Sequence, residues 1–378
     1  MNNTHFESSI GSYQLKRLPE LANQPLRAWD AADEYLLQHL LDEQLLDGKK
    51  RILLINDDFG TLATCLHEHT LLHWSDSLLS QLATQQNLAN NTLKPDINYI
   101  PSTEAPEGKI DLVLIKTPKT LALLEEQLII MKPLLSKQTI IIGAGMVKYI
   151  HTSTLDLFEK VIGTTKTSLA QKKARLIFAE QDQSHTVKSK YPITFSAPEY
   201  DLTLSNHANV FAKQHLDIGA RFMLEQFSKL PSGKRIVDLG CGNGVLGIVA
   251  QRAFPDSEIT FLDESYMAIA SAEANFHTHH PDKSANFLVS DVFSACNEKV
   301  DLILCNPPFH QQHAMGDHLA WLMFKQSYQH LPQGGELWVV ANRHLAYHVK
   351  LKQLFGNCRT IGSNKKFVVL ACKKPAKF

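Results

Sequence analysis

Apolar residues along this chain fall into short blocks separated by stretches in which they recur every three or four positions. Blocks of that kind read as buried strands and the stretches between them as amphipathic helices, a pattern that predicts a mostly parallel sheet covered by helices on both faces. In the second half, strands are expected at residues 235–239, 258–262, 286–289, 301–305, 336–341 and 366–371.

The pattern occurs twice. Residues 48–60 (Gly-Lys-Lys-Arg-Ile-Leu-Leu-Ile-Asn-Asp-Asp-Phe-Gly) lie opposite residues 233–244, aligning a basic lead, an apolar strand and a turn. Residues 111–119 lie opposite 301–309, each a buried-type strand ending in a proline turn, and residues 172–179 opposite 365–372. The last pair follows a glycine, Gly163 or Gly356, that ends an amphipathic helix. Two copies of one α/β fold are therefore expected, at residues 1–180 and 196–378. Residues 180–190 are polar and aperiodic, so residues 181–195 form the expected linker, with a small hairpin from 191–195 and 200–205.

Composition is consistent with this division. The chain has 378 residues, 44% of them hydrophobic, enough for two cores. Lys+Arg and Asp+Glu both number 38, so any nucleic-acid binding must use a local patch. The six cysteines show no CxxC spacing, which argues against a zinc site or a disulfide framework. The histidines at 277, 279, 280, 310 and 313 have no carboxylate or cysteine at matching spacing, and no metal is assigned. Residues 1–17 lack the apolar core of a signal peptide and no uncharged stretch approaches membrane-spanning length, so a cytoplasmic protein is expected.

Candidate chemistry begins at Val-Asp-Leu-Gly-Cys-Gly-Asn-Gly, residues 237–244. Gly240, Gly242 and Gly244 sit where a strand turns into a helix, which permits positive φ and close approach of a ligand to the backbone. Dinucleotide dehydrogenases use a related turn, so its surroundings must discriminate. Asp238 precedes the glycines, and Asp263 ends the next strand, where a carboxylate can accept hydrogen bonds from ribose hydroxyls. Asp291 ends the third strand, placed either to frame an adenine edge or to cap a helix.

The fourth strand ends in Asn306-Pro307-Pro308-Phe309, which resembles the signature of class I methyltransferases acting on planar amines. The lone pair of such an amine is delocalised into the ring. It attacks a methyl sulfonium only if acceptors, here Asn306 Oδ1 and the Pro307 carbonyl, draw its N–H bonds out of plane. Two prolines stiffen the turn that holds those acceptors, and Phe309 offers a stacking face. No tuned general base is needed, because the nitrogen becomes acidic once methylated. Cys241 and Cys305 read as small buried residues. These residues alone indicate an amino-group methyltransferase using S-adenosylmethionine, whose substrate could also be a protein glutamine or a DNA adenine.

Further stretches, among them Leu-Arg-Ala-Trp-Asp-Ala-Ala-Asp (26–33), Asn-His-Ala-Asn-Val-Phe (206–211) and Leu-Asp-Ile-Gly-Ala-Arg-Phe (216–222), carry a resemblance across nearly the whole chain. The sequence is similar to the duplicated bacterial rRNA guanine-N2 methyltransferases, in which the first of two tandem class I, Rossmann-like domains is degenerate. The resemblance implies methylation of the N2 amine of a guanine in 23S rRNA.

In the first copy, Leu54, Asn56 and Asp58 stand where the second has Asp238, Gly240 and Gly242, so that site is expected to bind no cofactor. Lys116-Thr117-Pro118-Lys119 replaces the amine motif, and Lys116 and Lys119 are expected to contact RNA phosphates. Phe211 and Asp217, ahead of the second copy's first strand, are expected to close over cofactor and base as substrate-binding residues. A catalytically inactive RNA-binding assembly factor is the remaining alternative; the intact Asp238, glycine turn and Asn306 oppose it.

Overall fold

The structure is a computed structural model that describes residues 4–20, 26–182, 186–212, 214–308 and 313–376. It divides into two compact units, Met1–Lys190 and Tyr191–Phe378. The first unit opens with a hairpin, β1 (His5–Ser8) and β2 (Gly11–Gln14), followed by α1 (Ala31–Asp42), β3 (Arg51–Ile55), α2 (Thr61–Cys65), β4 (Thr70–Ser75), α3 (Leu78–Asn90) and β5 (Asp96–Pro101). It continues through β6 (Leu112–Lys116), α4 (Leu121–Met131), β7 (Ile140–Met146), α5 (Thr152–Val161), β8 (Thr165–Thr167) and β9 (Ala174–Ala179). The second unit repeats the series as the hairpin β10 (Ile193–Ala197) and β11 (Leu202–Asn206), then α6 (Ile218–Leu224), β12 (Arg235–Leu239), α7 (Val245–Ala253), β13 (Glu258–Asp263), α8 (Tyr266–His279) and β14 (Asn286–Val289). It ends with β15 (Leu302–Cys305), α9 (His313–His330), β16 (Glu336–Asn342), α10 (Tyr347–Phe355), β17 (Arg359–Ser363) and β18 (Phe367–Lys373).

Each unit holds a seven-stranded sheet, with order β5-β4-β3-β6-β7-β9-β8 in the first and β14-β13-β12-β15-β16-β18-β17 in the second. The two orders are the same. The five strands from β14 to β16 run parallel, and β18 and β17 add antiparallel pairs at one edge. Both faces of the central strands are buried, so they read as unbroken apolar runs: Val237, Leu239 and Ile303 face one core cluster, Ile236, Leu302 and Leu304 the other. Helix α7 lies close against this sheet because it carries Gly247, where a Cβ would come within 2.3 Å of Phe261 Cε1. Edge strand β17, absent from the sequence expectation, is exposed or half-buried throughout and lacks an apolar block.

In each unit an asparagine of the helix after the second sheet strand ties the hairpin, or the residue just beyond it, to the turn after the first; in the first unit Asn91 also bonds the Gln14 N–H and carbonyl of the hairpin, each at 2.8 Å. Asn275 of α8 accepts from Ser205 N–H at 2.7 Å and donates through Nδ2 to the carbonyls of Ser205 at 3.0 Å and Asn243 at 3.1 Å. Asn87 of α3 does the same with Lys16 N–H, Lys16 carbonyl and Phe59 carbonyl, each at 2.8 Å. Asn243 and Phe59 occupy equivalent places in the turns after β12 and β3. The amide therefore fixes the position of each turn from its far side.

Candidate active site

Strands β12 and β15 are parallel neighbours from which the chain departs in opposite directions across the sheet, to β13 and to β16. Such a switch point leaves a crevice beyond the carboxyl ends of the strands. Two turns border it here. After β12 the chain passes through Gly240, Gly242 and Gly244 at φ 69°, 54° and 80°. A Cβ on Gly242 would meet nothing within 4 Å, and one on Gly240 would meet only the Met323 methyl at 3.3 Å and the Asn306 carbonyl oxygen at 4.0 Å. The glycine turn thus presents open space on one side and lies beside the Asn306 backbone on the other.

The acids expected around this turn hold it in different ways. Asp263 Oδ2 accepts from Gly242 N–H and Oδ1 from Ser265 N–H, each at 3.0 Å. Asp238 is buried, and its Oδ2 accepts from Gly247 N–H at 2.8 Å, which anchors the start of α7. Burial pushes the Asp238 carboxyl up to about 8, with the Gly247 bond opposing the shift and the Asp263 charge adding to it. The group therefore carries a proton at neutral pH. Asp291 follows β14 in a turn, not at the start of a helix, so the capping alternative is not realised. Its carboxylate accepts no hydrogen bond among the described residues, and partial burial raises its pKa.

The second turn carries the amine motif. Asn306 Oδ1 is buried without a hydrogen-bond partner among the described residues, while its Nδ2 donates to Asp217 Oδ2 at 3.0 Å. Pro307 is buried and Pro308 exposed; Phe309 lies outside the described residues. The same Asp217 oxygen accepts from Ala220 N–H at 2.8 Å, capping α6. Phe211, ahead of that helix, is 58% exposed. Burial raises the thiols of Cys305 and Cys241 well above the ordinary cysteine value, which leaves them poor nucleophiles. His279 and His280 bond through their rings to the carbonyls of Thr203 and Ile248. Among the described residues, no group of three His, Cys, Asp or Glu side chains converges as a metal ion would require.

The equivalent place in the first unit is filled. Asn56, at φ 61° where the second unit has Gly240, exchanges two hydrogen bonds with the Gln127 side chain at 2.9 and 2.8 Å and donates to the Lys116 carbonyl at 3.2 Å. Asn56 occupies this place; Asp58, on the exposed side of the same turn, has its carboxyl pushed up by burial, with the charges of Lys116, Arg17 and Lys119 opposing the shift. Asp57 Oδ2 accepts from Ala63 N–H at 2.9 Å, a bond that Asp238 makes in the second unit from a position now held by Leu54.

Lys116 requires a correction. Its Nζ lies 2.6 Å from Asp33 and 3.0 Å from Asp30, and its side chain is only 15% exposed. Burial disfavours the ammonium, but the Asp33 and Asp30 carboxylates outweigh that and hold it charged beyond the ordinary lysine range. A cation neutralised by two carboxylates is not offered to a phosphate, so Lys116 is an internal ion-pair residue. Lys119 is exposed, with its Nζ 5.6 Å from the centre of the Tyr149 ring, and exposed Lys148 lies 4.7 Å from the same ring. No helix among the described residues is long and apolar enough to cross a membrane.

Sequence reasoning missed Asn275, which has no motif around it and is recognisable only by aligning α8 with α3.

Comparison with known proteins accords with this geometry. Residues 3–183 match the RLMG N-terminal domain and residues 201–371 the methyltransferase small domain. A ribosomal RNA large subunit methyltransferase G from Streptomyces griseus is 46% identical over 380 residues, covering 98% of this chain and 99% of the relative. One from Aeromonas salmonicida is 47% identical over 365 residues, covering 95% and 96%. Among solved structures, a T. thermophilus 16S rRNA N2 methyltransferase (RsmC) in complex with AdoMet and guanosine superposes with a TM-score of 0.78 at 20% identity. It covers 98% of this chain and 97% of its own, so the tandem arrangement of two methyltransferase folds is shared. By its full-length similarity to these relatives, the chain belongs to the ribosomal RNA large subunit methyltransferase G family.

Proposed function

We propose that the second unit transfers a methyl group from S-adenosylmethionine to the exocyclic N2 of a guanine in 23S rRNA, in the cytoplasm, and that the first unit helps to hold the RNA. The observation that carries this reading is Asn306 Oδ1, a buried acceptor without a partner among the described residues, on a proline-stiffened turn beside an open glycine turn. An unsatisfied buried acceptor costs free energy that a bound N–H donor returns.

When bound, S-adenosylmethionine supplies an electrophilic methyl on a sulfonium centre. Gly240, Gly242 and Gly244 leave room for it, Asp263 accepts from ribose hydroxyls, Asp291 frames the adenine edge, and Asp238 fixes the helix behind the turn. Asn306 Oδ1 and the Pro307 carbonyl accept the two N–H bonds of the guanine amine, which turns its lone pair out of the ring. That arrangement gains strength as the amine becomes tetrahedral, so it acts on the rate more than on substrate affinity. Phe309 and Phe211 supply aromatic faces for the base. The proton lost after methylation leaves to water. Family membership favours rRNA over a protein glutamine or a DNA adenine, and the open turn with its free acceptor disfavours an inactive assembly factor.

In the first unit, RNA contact falls to Lys119, Lys148 and Tyr149, two cations flanking one aromatic ring. Such a group suits phosphates with a base stacked between them.

Three outcomes are expected. Asn306→Ala should reduce kcat on the order of 10²–10³-fold in a methyl-transfer assay while leaving RNA affinity within about twofold; unchanged turnover would contradict the role of this acceptor. Changing Lys119 and Lys148 together to Ala should weaken RNA binding and reduce its log–log salt slope by roughly 0.7 per single-strand contact, with cofactor affinity unchanged. An unaltered slope would place RNA docking elsewhere.

The third outcome concerns Asp238, whose folded-state value of about 8 exceeds its ordinary 3.8. The folded protein holds a proton that the unfolded chain releases, so this group's contribution to stability falls as pH rises from about 4 to about 8 and is level above. Unfolding free energies measured without cofactor should shift in favour of Asp238→Asn across that window, by at most about 1.4 kcal/mol per pH unit. A difference independent of pH would show that Asp238 is ionised throughout.

A further inference from the structure

An asparagine amide can present either its oxygen or its nitrogen to a ligand, and only one orientation serves amine methylation. In this protein one end of the Asn306 amide is fixed from outside the motif: Nδ2 donates to Asp217 Oδ2 at 3.0 Å, and Oδ1 has no partner among the described residues. A carboxylate accepts and cannot donate, so the opposite orientation would bring two acceptor oxygens together. Asp217 is itself held, because the same Oδ2 accepts from Ala220 N–H at 2.8 Å at the start of α6. A Cβ on Gly219 would come within 3.0 Å of Asp217 Oδ2 and 3.4 Å of Asn306 Oδ1, so the helix start packs tightly against both groups.

The first unit carries the same device with its outcome reversed. Asp30 caps α1 by accepting from Ala32 N–H at 2.9 Å, and its carboxylate reaches the residue at the end of β6, Lys116, at 3.0 Å. In both units the capping aspartate of the helix before the first sheet strand touches a residue at the carboxyl end of the fourth, Lys116 as its last residue or Asn306 just after it. In the first unit the contact consumes the cation; in the second it consumes only the donor end of an amide and leaves the acceptor.

We propose that Asp217 is a positioning residue that selects the orientation of the Asn306 amide, so that the site offers an acceptor and thereby takes an N–H nucleophile in preference to the carbonyl oxygen of the same base. This rests on the reading of Asn306 as the amine acceptor. It replaces the expectation that Asp217 contacts the substrate directly.

One oxygen serves both contacts, so the charge of Asp217 is not required. Asp217→Asn keeps a carbonyl oxygen for Ala220 N–H and for Asn306 and should retain turnover within about threefold of wild type. Asp217→Ser keeps a helix cap but is too short to reach Asn306; Asp217→Thr gives a second hydroxyl cap of the same reach. Both should lose kcat by about a hundredfold, as expected for a misoriented catalytic group. Their affinities for S-adenosylmethionine and rRNA and their melting temperatures should stay close to wild type. The assay is methyl transfer to 23S rRNA from cells lacking the protein, with Asn306→Ala measured alongside. Wild-type turnover in folded Asp217→Ser or Asp217→Thr would overturn the proposal while Asn306→Ala remains inactive. So would an Asp217→Asn variant as impaired as the hydroxyl variants, which would assign the role to charge. Full activity in Asn306→Ala would instead overturn the reading of the acceptor itself.

Discussion

The turn between the first sheet strand and the next helix has to stay in one shape although glycines give it little stiffness of its own, and the site depends on that constraint. In the second unit the turn is held from three sides: the Leu262 carbonyl accepts from Gly240 and Cys241 N–H groups, Asp263 accepts from Gly242, and Asn275 donates to the carbonyl of Asn243. Three positive φ values therefore persist with the Gly242 side of the turn open. Asn275 also binds the hairpin strand β11, so the small hairpin and the ligand-side turn are fixed by one buried amide.

The same framework supports opposite chemistry in the two units. Asn87 holds the first turn as Asn275 holds the second, and Gly60 enters α2 at φ 71° as Gly244 enters α7 at 80°. What differs is the direction in which polar groups are spent. In the first unit, Asn56 pairs with Gln127 and Lys116 with two aspartates, so the groups lining the former crevice satisfy one another. In the second unit, glycine leaves the space open and Asn306 keeps an acceptor with no partner among the described residues. A degenerate copy of an enzyme fold thus keeps its architecture by closing its polar network internally, consistent with the cost of leaving buried groups unpaired.

Much of this was legible in the sequence because it is written in short-range patterns. Buried parallel strands appear as apolar runs, and the strand expected at 235–239 is β12 residue for residue. The glycine turn and the Asn-Pro-Pro motif are contiguous, and the aligned repeat correctly placed Asn56 opposite Gly240 and Lys116 opposite Asn306. The partnerships were not legible. Lys116 reads as a free cation until the fold brings it to Asp30 and Asp33, more than eighty positions earlier. Asp217 and Asn306 meet across a separation of 89 residues, and nothing local in either segment signals the other. Edge strand β17 escaped because a half-exposed strand lacks the apolar block that marks its neighbours.

The central claim is that one of two equivalent folds retains an open cofactor turn and the other has filled it. Isothermal titration calorimetry of the full-length protein with S-adenosylmethionine tests this most directly, since it counts sites without requiring RNA or turnover. One site per chain is predicted, and it should weaken by on the order of 1–3 kcal/mol in Asp263→Ala, which removes a charged acceptor from the turn. Two sites per chain, or a single site insensitive to that change, would contradict the account.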